Sequence, residues 1–358
     1  MYRKRITRTL LTLATLLAAA CSRFDDMTLF DFPVVEVGEA LPSSISLESG
    51  EMLSSPGTHY IHDSLIITRN FNGEYLFSVA KVGSDDPGVQ FCPRGRSNLE
   101  PLNSLPSFDV ENDESGLRVD FISYFPFRFF RWNVTESLLT QKTSYDYVCD
   151  IHSDTTSTFY PTSFFVISDN RICFLESGQN PYYSWLTSSP SYEIYSLQTG
   201  QKIKSIRPYN LPKMPRREKE AFPSNLYYSS FEAIRPDRRC LVSAMLYVPQ
   251  LNILDLDTEK MTGYRSSGAK GLNPDKMRFH FLDIACNQER IYALYSGNKP
   301  KNGMPVGNVT LKVYDWEGTP LCSYDVGTKS RIFIDETTLY LTDIYQTTLY
   351  QVPLADIR

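Results

Sequence analysis

The sequence predicts an all-β chain, a six-bladed β-propeller closed by an N-terminal strand. Three observations carry this. A unit made of a short apolar strand, a tight polar turn, a second apolar strand and a third strand of alternating character recurs six times. Counted from the first apolar residue of each second strand (Leu65, Leu117, Ile172, Leu241, Ile291 and Leu339), the period stays near 50, with one longer interval between the third and fourth units. No long helical pattern interrupts them, and short strands grouped four to a unit at this period are what propeller blades require.

The first and second strands read as His59–Ile61 with Leu65–Ile67, Ser107–Val110 with Leu117–Val119, and Phe164–Ile167 with Ile172–Leu175. They continue as Phe231–Ile234 with Leu241–Val242, Phe281–Ile284 with Ile291–Leu294, and Ile332–Ile334 with Leu339–Leu341. Turns such as Asp169-Asn170, Pro236-Asp237 and Asn287-Gln288 carry the residues that reverse a chain tightly. Third strands follow at Tyr75–Val79, Phe129–Trp132, Tyr192–Leu197, Leu251–Leu256, Val309–Trp316 and Thr348–Val352. After Val352 only six residues remain, too few for a turn and a fourth strand, so the last blade must borrow its outer strand from the N-terminus. Phe32–Val37 is the first candidate and Ser44–Leu47 the second. The longer interval holds a loop, Gly178–Ser191, and a charged stretch, Lys213–Phe222, with room for one short helix.

The chain has 358 residues, of which 42% are hydrophobic and 13% aromatic, enough apolar material for a large core and too much for a disordered or fibrous chain. Its net charge is −5, and no long basic stretch follows the first few residues. A nucleic-acid surface would need clustered Lys and Arg, so that partner is excluded.

The N-terminus carries an address. Arg3, Lys4, Arg5 and Arg8 precede the uncharged run Leu10–Ala20, which is too short to span a bilayer. The run ends in Leu-Ala-Ala-Ala-Cys at Cys21, which resembles the lipobox of bacterial lipoproteins, where the Cys is lipidated and becomes the new N-terminus. This divides the chain into a signal peptide (1–20), a lipidated tether (21–31) and the propeller (32–358). Removing 1–20 takes away four positive charges and no negative one, so the mature domain should stand off an anionic membrane. The remaining six cysteines show no C-x-x-C spacing and no zinc or redox motif. Their even number permits disulfides, while Cys173 and Cys240 sit in apolar runs as small hydrophobes.

Candidate binding residues fall in two places. In the link after the first blade, Arg94 and Arg96 bracket Gly95, and Asn98 adds an amide, a small basic cluster that suits an acidic ligand or equally an architectural role. In the third-blade loop, Tyr182, Tyr183 and Trp185 form an aromatic group with no blade to pack into, suited to stacking on a glycan or a protein. The aromatic run Tyr124–Trp132 reads instead as core, with Phe127 and Phe129 on one face of a strand and Phe130 and Trp132 on the other. The four histidines (His59, His62, His152 and His280) do not share a metal spacing, and no Gly-x-Ser-x-Gly elbow occurs. A metal-dependent enzyme would need acidic ligands around the central channel, for which Asp120, Glu176, Asp283 and Asp343 are the positional candidates.

The Cys21 lipobox, the six units and the segment Cys92–Pro101, in which Gly95, Arg96, Asn98 and Glu100 occur in order, together resemble the TolB-like six-bladed propeller lipoproteins of Bacteroidota. That resemblance implies a fold and an envelope location rather than a reaction. The expectation is a monomeric, lipid-anchored binding or assembly module at the outer membrane, with no cofactor, taking a protein or glycan ligand. The alternative is a metal-dependent hydrolase or lyase with its site over the channel.

Overall fold

In the computed structural model the described residues are 30–52, 58–62, 64–82, 84, 86, 88–124, 126–152, 161–176, 189–210, 228–268, 278–343 and 348–358. Cys21, the loop carrying Tyr182, Tyr183 and Trp185, and the stretch Lys213–Phe222 lie outside them. The first strands among the described residues are β1 (Val34–Val37), β2 (Leu41–Ser43) and β3 (Glu48–Met52), and the six blades follow. Blade one is β4–β7 (Thr58–His62, Leu65–Arg69, Tyr75–Lys81, Val89–Pro93) and blade two is β8–β11 (Asp109–Asp113, Gly116–Tyr124, Phe127–Asn133, Tyr145–Asp150). Blade three is β12–β15 (Pro161–Ser168, Arg171–Glu176, Ser191–Ser196, Lys202–Ile206) and blade four is β16–β19 (Ser230–Ile234, Cys240–Met245, Gln250–Asp255, Lys260–Ser266). Blade five is β20–β23 (Phe279–Cys286, Ile291–Asn298, Val309–Tyr314, Pro320–Gly327), and blade six contains β24–β26 (Lys329–Ile334, Thr338–Asp343, Thr348–Pro353). Each blade is an antiparallel meander, and together they form the six-bladed propeller.

Six hydrophobic clusters fill the spaces between successive blades. This follows from the pleat: both faces of every second and third strand meet a neighbouring blade, so these strands read as near-continuous apolar runs such as Cys240–Met245, buried throughout. Between blades one and two the packing is aromatic. Phe77 meets Phe121 at 5.1 Å and Trp132 at 5.3 Å, and Phe121 stacks on Phe130 at 4.9 Å. Of the Tyr124–Trp132 run, Phe129, Phe130 and Trp132 are buried in strand β10, on the alternating faces expected.

A short helix, α1 (Val134–Thr140), leaves the end of β10. Asn133 caps it by accepting the Glu136 N–H at 2.8 Å, and Ser137 accepts the Trp132 indole N–H at 2.8 Å. All six cysteines of the propeller are free thiols, and five are buried as small hydrophobes.

Closure comes from β3, which pairs antiparallel with β26 (Thr348↔Met52, Tyr350↔Ser49 and Gln351↔Glu48). The N-terminus therefore completes blade six as expected, but with a different strand. Phe32–Val37 is not the closing strand: its residues 34–37 lie parallel to β19 as a fifth, outermost strand of blade four. Ser44–Leu47 runs directly into the closing strand, with Ile45 and Leu47 packed against the core between blades five and six. β2 adds a fifth strand to blade five, parallel to β23. The segment from Phe30 thus travels along the rim past blades four and five before it closes blade six.

It is pinned at its start, where Phe30 is buried against Phe32 and Tyr209 and the Asp31 N–H donates to Pro208 O at 3.0 Å. At the middle, Lys312 Nζ donates to Glu39 Oε2 at 3.0 Å.

Candidate functional site

The first strand of every blade lines the central channel, and its turn into the second strand opens on one face of the disk. On this face lies a cavity of about 1190 Å³. Its walls come from five blades and from the C-terminal segment: Tyr60 and His62, Asp109–Asn112, Pro236 and Arg238, Cys286–Arg290, Ile334–Glu336, and Ile357 with Arg358. Propeller topology explains the convergence, because strands distant in sequence end side by side around one axis.

The floor is crossed by an ion pair. Arg238 Nη1 donates to Asp109 Oδ2 at 2.5 Å, joining blade four to blade two across the channel. The same oxygen accepts the Val166 N–H of blade three at 3.3 Å, so one carboxylate ties three blades together. Arg238 occupies the left-handed region (φ 62°) in the Pro236–Arg239 turn, where Gly or Asn is usual, and that backbone aims its side chain inward. On the wall, the His62 imidazole hydrogen-bonds the Asn112 amide at 2.8 Å. The Tyr60 ring stacks on His62 with centroids 6.4 Å apart. Burial, then Asp109 and Asp335, push the Tyr60 phenol up to about 12, so it stays a proton donor. Arg290 Nη1 donates to Ile357 O at 2.7 Å, and the Tyr324 hydroxyl donates to Arg358 O at 3.1 Å, which holds the C-terminal wall in place.

The acidic candidates for a metal site are dispersed among other tasks. Asp120 is buried in blade two, where Arg131 grips it through two donors at 2.9 and 2.8 Å. Asp283 accepts the Ile332 N–H at 3.1 Å and staples blade five to blade six. Asp343 accepts the Thr348 N–H at 3.3 Å, and Glu176 stands half-buried on blade three, raised by burial and by nearby Glu193. Among the described residues no three His, Cys, Asp or Glu side chains are gathered as a metal ligand set. The histidines are likewise separate, with His59 hydrogen-bonded to Thr68 and His280 to Tyr295.

Within the channel wall, Glu232 accepts from the Ser230 hydroxyl at 2.5 Å and the Ser163 hydroxyl at 3.3 Å. Burial pushes its carboxyl up to about 7 against the pull of both hydroxyls. A raised acid stabilises the fold while protonated, so this contribution is complete below pH 4.5 and is lost as pH rises to 7. Glu232→Gln is expected to remove it, and the difference between the two stability curves should change by roughly 2–3 kcal/mol over that window. Urea denaturation of both proteins at several pH values across the window measures this, and parallel curves would refute the assignment.

Of the sequence-derived binding residues, Arg94, Arg96 and Asn98 sit on the opposite face. Arg94 points into the link between blades one and two, donating to Asn70 O at 2.7 Å and to Leu102 O at 3.0 Å. Arg96 and Asn98 are exposed beside it, and the Asn98 carbonyl accepts from Arg128 at 2.6 Å. These residues do not meet the cavity. The lining of the cavity escapes sequence reasoning, since Asp109, Arg238 and Tyr60 come from three blades and share no motif. Their one signal is a position at or just beyond a first strand.

No protein-family model matches the chain, and no curated protein matches it. Among solved structures it is similar to a DUF4221 family member from Bacteroides vulgatus, at 12% identity over 88% of this chain and 98% of that one, with a TM-score of 0.59. It is also similar to an exported protein from Bacteroides fragilis, at 10% identity over 89% of this chain and 98% of that one, with a TM-score of 0.49. A third is BamB from Moraxella catarrhalis, at 9% identity over 86% of this chain and 99% of that one, with a TM-score of 0.39. At these identities the likeness to the Bacteroides vulgatus structure shows a shared fold. Among the described residues no helix is long and apolar enough to cross a membrane.

Proposed function

We propose that the chain is a binding module of the bacterial cell envelope, tethered to the outer membrane through a lipid on Cys21, and that it takes a glycan in the channel-mouth cavity. The cavity carries this reading. It is concave and of the size that encloses a ligand of a few rings, and its wall combines the half-buried Tyr60 ring with the planar polar groups of Asn112, Asn287 and Gln288. Such amides and carboxylates pair with adjacent hydroxyls, and the Tyr60 ring covers the apolar face of a sugar. A folded protein partner would instead need a broad surface, about 800 Å² on each side.

The test uses the full chain on an immobilised panel of neutral and acidic oligosaccharides. Asp109→Asn with Arg238→Gln removes both charges of the floor without stranding either. Retention of a glycan by the parent and at least a tenfold weaker retention by the double variant, which still unfolds cooperatively, is the expected result. Absence of retention across the panel, or equal retention by both proteins, would overturn it. In fractionated bacterial cells that express it, Cys21→Ala should move the protein from the membrane to the soluble fraction.

A further inference from the structure

On the face away from the cavity, two guanidinium groups lie together, and among the described residues no acid pairs with them. Arg69 ends β5, opposite Thr58 of β4 and at the far end of that hairpin from His62. It is 5% exposed. Its Nε donates to Ser104 Oγ at 2.8 Å and its Nη2 to Ser104 O at 2.7 Å, while Nη1 is buried with no partner. Arg94 spends both Nη atoms on the carbonyls of Asn70, Phe71 and Leu102, and its Nε is also buried with no partner. Two of the carbonyls that hold Arg94 belong to the residues directly following Arg69 in the chain, which brings the two side chains side by side. Among the described residues neither is in an ion pair.

This arrangement is costly as it stands. Burial and then the charge of Arg94 depress the Arg69 pKa, and no carboxylate offsets either effect. An unmet buried N–H on a charged group also carries a desolvation penalty. Proteins place guanidinium pairs this way where an anion completes them, because the fork of donors matches the oxygens of a carboxylate or phosphoryl group. The Phe71 ring, more than half exposed, lies 5.4 Å from the Arg69 guanidinium and forms the outer cover, with Arg96 and Asn98 exposed on the neighbouring link.

We propose that Arg69 and Arg94 form an oxyanion site on this face, in which a carboxylate or phosphoryl group accepts from Arg69 Nη1 and Arg94 Nε after the Phe71 ring turns aside. Ser104 and the carbonyls of Asn70 and Leu102 fix the two guanidinium planes, so the site is preorganised. It is separate from the glycan cavity and does not depend on that reading.

Titration of the full chain with sodium phosphate, and separately with sodium acetate, tests the site at an ionic strength held constant with sodium chloride. The expected result is a saturable rise in melting temperature of a few degrees with at least one of the two anions, and a saturable shift of the Arg94 Nε–H resonance in the nitrogen-15 spectrum. Response to phosphate assigns a phosphoryl ligand, and response to acetate assigns a carboxylate. Arg69→Gln and Arg94→Lys should each weaken the half-saturation at least tenfold. Flat titrations at constant ionic strength, or saturation unchanged in both variants, would overturn the proposal. Should Arg69→Gln fail to fold because Ser104 loses its donor, the Arg94 resonance of the parent still decides: a stationary signal refutes the site.

Discussion

Deleting residues 1–52 is expected to abolish cooperative folding, while deleting 1–37 should leave a folded propeller that melts about 10 °C below the parent. The longer cut removes β3, which covers the outer edge of β26, and leaves blade six with three strands. The seam it guards is thin. Among the described residues four buried side chains, Ile61, Ile66, Tyr340 and Leu349, form the core between blades six and one, against ten or more at each of the other five seams. Main-chain pairing through β3 therefore carries more of the closure than side-chain burial does, and an open ring exposes two blade faces at once. The shorter cut removes β1, whose side chains are mostly exposed, together with the Phe30 and Phe32 contacts to Tyr209. Loss of one buried Phe costs about 3–5 kcal/mol, which corresponds to a shift of roughly 10 °C in a domain of this size. Thermal unfolding followed by circular dichroism separates the outcomes. Equal melting of both truncations would mean that closure does not depend on β3.

Trp132→Ala should cost about 4 kcal/mol, the largest effect of any single substitution in the blade-one and blade-two core. Trp132 is fully buried, with Phe77 at 5.3 Å and Phe91 at 5.4 Å, so truncation leaves a cavity walled by rings that cannot collapse far. It also removes the indole donor from the Ser137 hydroxyl, the group that donates to Asn133 O and accepts from Ser144 N at the start of α1. Trp132→Phe keeps most of the volume and loses only the N–H, so it should cost about 1–2 kcal/mol. Urea unfolding of the three proteins measures both terms. A loss below about 1 kcal/mol for the Ala variant would show that this cluster does not limit stability.

The repeat is legible because each blade buries both faces of its second and third strands, and burial writes itself into composition: apolar runs such as Ile172–Leu175 and Ile291–Leu294 can sit nowhere else. All six strand triplets stand where the period places them. The need for a borrowed strand is legible too, from a count of residues after Val352. Which segment supplies it is not. β3 reads Glu-Ser-Gly-Glu-Met, with no apolar alternation, because an outermost strand contributes its backbone ladder more than its side chains. Phe32–Val37 looks more like a strand, and residues 34–37 of it form one, yet it pairs with blade four, since parallel addition at a rim needs only a free edge and leaves no mark on the sequence.

Arg94 stands out in the sequence by its charge and its neighbouring Gly95, but its role as a holder of carbonyls depends on how the link folds back over Asn70 and Leu102. Arg69 reads there as one basic residue at the end of an apolar strand. The number of blades, the strands within them and the requirement for closure follow from local periodicity and burial, so the chain's own order of residues is enough to set them. The path of the N-terminal rim strands, the Asp109–Arg238 floor and the Arg69–Arg94 pair are products of the assembled ring. Each of these joins residues tens to hundreds of positions apart, and pairing at that range is set by the circular geometry that brings strand ends together, or for the Arg69–Arg94 pair by the fold of the link leaving blade one, not by any neighbour in the chain.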